Sequence, residues 1–167
     1  HSIFLVLPFK SNKMSEKLFY AIRSEDLNSV KEILKKDKSL LHAKDPRGSS
    51  PLLLATYYGY EDLTEYLLTL NPDVNEKDGS GNTALMGVCF KGHEGIAKKL
   101  LEAGADPNIQ NAMGGTALSF AAMFNKVGLV QLLLQHGADK NIKDNQGVTA
   151  LQQAERQGFY EVMDFLR

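Results

Sequence analysis

The 167-residue sequence has little cysteine, no long apolar run and almost no net charge. Its one cysteine, Cys89, excludes an internal disulfide and is typical of a reducing compartment, so we expect a cytoplasmic protein. A transmembrane helix needs about 18 consecutive apolar residues, and no such run occurs. The formal net charge of −1 indicates that neither nucleic acid nor an anionic membrane is the main partner, since both bind basic surfaces.

The sequence also lacks a recognisable group of catalytic or metal-binding residues. Its histidines do not cluster by spacing, and no nucleophile stands beside a candidate base. Asp78, Ser80 and Asn82 alternate like calcium ligands. However, Thr83 and Cys89 occupy the positions at which an EF-hand loop has glycine and glutamate. We therefore predict a protein that is not an enzyme and that uses no cofactor or metal.

The chain begins with an apolar segment, Ile3 to Phe9, which is followed by lysines. A secretory signal has its basic residues first, so this segment matches one poorly. The letters MSEK at Met14 resemble a natural start. We interpret residues 1–13 as a leader that is either artificial or upstream sequence; the alternative is that Met14 is an internal methionine.

The dominant pattern is a repeat of 33 residues. The segments GSSPLLLA, GNTALMGV, GGTALSFA and GVTALQQA are evenly spaced, without insertion or deletion. A second segment recurs in phase with them as NPDVN, GADPN and GADKN. The first set of segments begins at Gly48, Gly81, Gly114 and Gly147.

Each repeat predicts two short helices joined to a hairpin. A glycine in the hairpin accepts positive φ, and the hydroxyl two residues later suits a helix N-cap. A short apolar helix and a break follow, and the second helix ends at a glycine or asparagine that can adopt the left-handed conformation. The hydroxyls are Ser50, Thr83, Thr116 and Thr149; the breaks are Gly59, Gly92, Asn125 and Gly158; the second helices end at Asn71, Gly104 and Gly137.

The period and the segments GNTALMGVCFKGH and LLEAGADPN resemble the ankyrin repeat. The resemblance extends from Asn12 to Arg167, with a divergent first repeat in LFYAIRSEDLNSVKEIL, and implies an all-α solenoid that binds proteins. We expect one domain over residues 12–167, with repeats at about 12–44, 45–77, 78–110, 111–143 and 144–167. The sequence departs from the family where histidine is usual, which puts one local hydrogen-bond pattern in question. The departing residues are Leu53, Met86, Ser119 and Gln152.

The two ends of the array carry charged residues at positions that are apolar or small in its interior. A solenoid needs polar outer faces on its terminal units. The pattern therefore predicts three internal repeats between an N-terminal and a C-terminal capping repeat. One column of equivalent positions reads Arg23, Thr56, Cys89, Ala122 and Glu155, and the other reads Lys35, Leu68, Leu101, Leu134 and Arg167.

The first helices end in large side chains that face away from the packed side. Each helical residue turns by about 100°, so Leu52, Ala55 and Thr56 share one side and the following tyrosines do not. The resemblance implies that these ends line a concave groove. Aromatic residues, methionine and arginine are enriched at protein interfaces. The candidate partner-binding residues are Tyr57, Tyr58, Phe90, Lys91, Met123, Phe124, Arg156 and Gln157 on the first helices, with Arg47, Ser80, Asn82, Met113 and Gln146 at the hairpin tips.

Two interpretations of these aromatic residues are open. They bind a partner, or they pack sideways across neighbouring helices and only stiffen the stack. Our main hypothesis is a protein-binding module that grips a loop or extended segment of a partner protein. The alternatives are a regulatory or inhibitory subunit of an enzyme and a scaffold without a groove ligand. We expect a monomer whose leader packs on its own first repeat; the alternative is self-association in which Phe4, Leu7 or Phe9 of the leader contacts another copy's groove.

Overall fold

A computed structural model describes residues 13–167, which form ten α-helices and no strand. The rest of the predicted leader, and its proposed contact with another copy, lie outside the described residues. The helices alternate between a first and a second helix in five successive units. The first helices are α1 (Lys13–Arg23), α3 (Pro51–Tyr57), α5 (Ala84–Lys91), α7 (Ala117–Met123) and α9 (Ala150–Gln157). The second helices are α2 (Leu27–Lys36), α4 (Glu61–Thr69), α6 (Glu94–Glu102), α8 (Val127–Gln135) and α10 (Tyr160–Leu166).

The units stack in chain order, so each packs against its neighbours. The first helices contact one another in the order α1, α3, α5, α7 and α9, and α4, α6, α8 and α10 form a second row. Side chains between the two rows form one continuous core that includes Leu85, Leu118 and Leu133, which are fully buried. This architecture confirms the predicted all-α solenoid of repeated units.

Hydroxyl side chains begin four of the first helices, as the sequence predicts. Each accepts a hydrogen bond from the backbone N–H three residues later, which satisfies a donor that the helix leaves free. In α7 and α9 the third residue also bonds back to the cap: Ser119 Oγ accepts from Thr116 N at 2.7 Å, and Gln152 Oε1 accepts from Thr149 N at 2.9 Å. These capping boxes occupy two of the positions that depart from the family pattern. The four caps are Ser50, Thr83, Thr116 and Thr149.

The turns that precede the first helices stack edge to edge along the molecule. The N–H of Gly79 donates to the carbonyl of Arg47 at 3.0 Å, and the N–H of Ala112 donates to the carbonyl of Ser80 at 3.1 Å. The predicted glycines of these turns have positive φ, as does Asn125 at one of the helix breaks. The backbone bonds place the tips of successive turns in one row.

The ends of the stack differ from its middle. Helix α1 begins at Lys13, whereas α3 begins at Pro51, which corresponds to residue 18 one repeat earlier, so α1 starts five residues sooner in the 33-residue frame. The additional helical turn stands where later units have their hairpin. At the first unit Arg23 is exposed and pairs with the buried carboxylate of Asp45 at 3.4 Å. The equivalent residues Cys89 and Ala122 are fully buried inside the stack, so charged residues replace buried ones at its ends.

Candidate functional site

Six aromatic side chains form a continuous contact network from α3 to α7, which we call the aromatic array. The ring of Tyr57 lies 6.5 Å from that of Phe90 with nearly parallel planes, and Phe90 contacts Phe124 edge-on at 5.0 Å. These separations are typical of favourable aromatic pairs. The array consists of Tyr57, Tyr58, Tyr60, Phe90, Phe120 and Phe124.

The array contacts water as well as itself. Tyr57, Tyr58, Phe90 and Phe124 are 38%, 44%, 42% and 39% exposed. Their rings therefore stack across neighbouring first helices, as the stiffening interpretation expects, and still expose surface to solvent. The ring contacts agree with the stiffening interpretation, and partner binding by the same residues remains a prediction.

The end of α3 is held in place by the next unit. The carbonyl of Tyr57 lies 3.1 Å from His93 Nε2, and Gly59 turns the chain with φ of 77°. A Cβ on Gly59 would lie 2.8 Å from the His93 ring, so a larger residue would push the ring away. This contact fixes the direction in which α3 ends, and with it the position of the two tyrosines.

A cavity of about 580 Å³ lies between α3 and α5 beside the aromatic array. It falls within the 300–1,000 Å³ range of ligand pockets. Leu54, Gly87 and Phe120 form part of its wall. Six of the sequence-predicted residues also line it: Arg47, Tyr57, Tyr58, Ser80, Asn82 and Phe90. We call this cavity the groove.

Arg47 contributes a positive charge to the groove wall, and Asp78 contributes a negative one. Arg47 is exposed, and within residues 13–167 no carboxylate lies within 4 Å of its guanidinium. Lys91 Nζ lies 5.3 Å from the centre of the Tyr57 ring, a cation–π distance. The nearby Asp78 carboxylate instead accepts the backbone N–H groups of Ser80 and Asn82, each at 2.9 Å. Arg47 is therefore the cation of the groove wall, and it makes no ion pair within the described residues.

The hydrogen bonds of Asp78 also explain the calcium-like spacing in the sequence. The same turn recurs with Asp45, Asn111 and Asp144, whose side chains accept from the backbone two and four residues later. The alternating oxygens thus belong to a repeated structural turn. In the described part of the chain, no group of three or more histidine, cysteine, aspartate or glutamate side chains could hold a metal ion.

The remaining predicted site residues lie along the same helix ends and hairpin tips, outside the groove wall. Met123 is half-buried at the end of α7, and Phe124 follows it. Met113 and Gln146 are exposed at the third and fourth hairpins. Arg156 and Gln157 are exposed at the end of α9. Within the described range, no ring contact connects Met113, Gln146, Arg156 or Gln157 to the aromatic array.

The sequence-based prediction missed several residues of the groove. On the first helices it considered only the two residues at each helix end, whereas Leu54, Gly87 and Phe120 lie one turn earlier and line the same cavity. Residues three apart share a helix face, and this spacing could have identified them. Tyr60, which stacks on Tyr58 at 5.6 Å, lies beyond the helix break and carries no periodic signal.

Cys89 is fully buried between the helices, and burial raises the pKa of its thiol. None of the described helices has the length and apolar character needed to cross a membrane.

Comparison with protein families gives one match. The family model described as ankyrin repeats (3 copies) matches residues 18–111 and 103–167. In a search of curated proteins, none matched the chain. The prediction of the family from the 33-residue repeat is confirmed by the family model.

Proposed function

The chain belongs to the ankyrin-repeat family, and from this premise we propose that it binds a partner protein in a concave groove along its first helices. Ankyrin repeats are generally protein–protein interaction modules, and their domains are typically non-catalytic. A loop or extended segment of the partner would lie across the aromatic array. We expect this binding to take place in the cytoplasm, since the single thiol suits a reducing compartment.

One observation carries the proposal: four large rings on neighbouring helices are each about two-fifths exposed although they contact one another. A contiguous exposed apolar surface on a soluble protein usually marks a binding site. Rings that only stiffened the stack would be expected to bury more of their surface. The exposed face of the second helices is different, since it carries charges such as the Lys99–Glu65 ion pair.

The proposal is tested by changing Tyr58 and Phe124 together to alanine. The partner is first recovered by affinity purification from the native cell, and its affinity is then measured by calorimetry. Loss of two interface anchors should weaken binding by about 4 kcal/mol, or roughly a thousandfold. The midpoint of thermal unfolding should fall by only a few degrees, because both rings lie outside the core.

The matched control is the double variant Tyr20→Ala and Tyr160→Ala. These tyrosines are 73% and 75% exposed and lie in the first and last units, outside the aromatic array. The control should bind the partner as the unchanged protein does. Equal binding by the groove variant and this control would refute the proposal. If the Tyr58→Ala and Phe124→Ala variant unfolds at a much lower temperature but binds the partner with unchanged affinity, the rings serve only to stiffen the stack.

A further inference from the structure

Gly87 leaves a gap in the row of side chains along the groove. In the 33-residue frame its position is held by Ala21, Leu54, Phe120 and Gln153 in the other first helices. Gly87 lies inside α5, where its backbone does not require glycine, since it is absent from the positive-φ residues. Glycine lowers the stability of a helix interior relative to alanine. Glycine therefore lowers the stability of α5 at a position where the backbone conformation does not require it. This indicates that the space a larger side chain would fill has a role.

The space above Gly87 is surrounded by apolar side chains. Leu54 and Tyr57 line the groove on the α3 side, while Phe90 and Phe120 line it toward α7. A Cβ at Gly87 would lie 3.3 Å from Tyr57 Cδ1. Any substituent at position 87 would therefore enter the groove against the tyrosine ring. The Tyr57 ring therefore covers one side of Gly87, and the remaining space beside Gly87 opens into the groove.

Arg47 provides a charged group on the same groove. The hydrogen bond from Gly79 to its carbonyl anchors its backbone at 3.0 Å, while its guanidinium has no carboxylate partner in the described residues. A guanidinium pairs with a carboxylate through two parallel hydrogen bonds. Lys91, above the Tyr57 ring, adds a second cation. Glu25 is an exposed carboxylate at the position equivalent to Tyr58, but it belongs to the first unit and does not line the groove.

We propose that the groove binds an extended segment of a partner protein that inserts one apolar side chain over Gly87 and places a carboxylate against Arg47. This proposal rests on the proposed function and specifies the chemistry of the partner. The apolar side chain supplies contact area within the ring-lined gap, and the ion pair fixes the segment's position along the groove. A segment with a basic residue in place of the carboxylate would be repelled by the Arg47 guanidinium.

The test uses a displayed library of random twelve-residue peptides, selected on the full chain. The selected peptides should share an acidic residue and a large apolar residue at a constant spacing. Gly87→Leu, which fills the gap with a good helix former, should weaken their binding at least tenfold, and Arg47→Gln should weaken it about tenfold. Gly87→Ala, which adds only a methyl group, provides a second test if the leucine variant does not fold.

The control is Gly95→Leu, the same substitution in the second helix α6, where the nearest atom is the flexible carboxylate of Glu61. It should leave peptide affinity unchanged. Peptides that lose binding in the Tyr58→Ala and Phe124→Ala variant, but bind the Gly87 and Arg47 variants normally, would overturn this inference and leave the proposed function standing. Failure to select any peptide, or peptides insensitive to all of these changes, would count against both.

Discussion

The rings of the aromatic array contribute to stability and to binding through different parts of their surface. Each ring contact between neighbouring helices, such as Tyr57 with Phe90, stabilises the stack by about 0.5–1.5 kcal/mol. The exposed part of each ring remains available, and burying it against a partner would release about 25 cal/mol per Å² of apolar area. Because the contacts already hold the rings in place, little side-chain freedom is lost on binding.

Cys89 shows the opposite arrangement, in which burial removes reactivity. The thiolate is the reactive form, and burial raises the pKa of this thiol, so less thiolate forms near neutral pH. We predict that the folded protein will not react with the thiol reagent DTNB at pH 8 over minutes, and that one equivalent will react in guanidinium chloride. Absorbance of the released thiolate measures both. Reaction of the folded protein at the rate of the unfolded chain would contradict the burial of Cys89.

At the scale of the element, the hairpin glycines differ in how closely the next unit approaches. Gly114 and Gly147 both have positive φ, at 81° and 78°. A Cβ on Gly114 would lie 2.6 Å from the backbone nitrogen of Asn145, whereas nothing lies within 4 Å of one on Gly147. Comparing alanine substitutions at the two positions therefore separates the cost of the backbone conformation from the cost of a steric clash between units.

We predict that Gly147→Ala will lower the free energy of unfolding by about 1 kcal/mol, the cost of a left-handed conformation for an L-residue. Gly114→Ala should lower it by about 3 kcal/mol, because backbone must also move. Urea unfolding followed by circular dichroism gives both values. Equal losses of unfolding free energy at the two positions would show that contact with the next hairpin does not restrict position 114 to glycine.

The sequence predicted these elements well because each is specified by local chemistry. The N-cap of Thr116, the helix break at Asn125 and the helix end at Asn71 are all confirmed by hydrogen bonds or positive φ. The groove was predicted only in part, because its wall depends on which side chains meet across units. Phe120 contacts Phe90 at 6.4 Å. Helix spacing places Phe120 on the groove face of its own helix, but it does not show which ring of the neighbouring unit it contacts. The repeat boundaries and the partner-binding roles remain predictions.

At the scale of the whole molecule, stacking similar units converts small features of each helix into one extended surface. The main helix contacts of the described residues run between neighbouring units, as in other repeat proteins. The ends of the first helices therefore form a row in which each position can vary without disturbing the core. In this chain the three internal units carry the aromatic array, while the first and last units present polar and charged residues such as Glu25 and Arg156 at the corresponding positions.

The central claim is that a partner covers the aromatic array. Hydroxyl-radical footprinting with mass spectrometry measures this directly, by comparing side-chain oxidation in the free protein and in the complex with its recovered partner. We predict that oxidation of Tyr57, Tyr58, Phe90 and Phe124 will fall at least threefold in the complex, while that of Tyr20 and Tyr160 stays constant. Protection of Tyr20 or Tyr160, with the array oxidised as in the free protein, would contradict the claim.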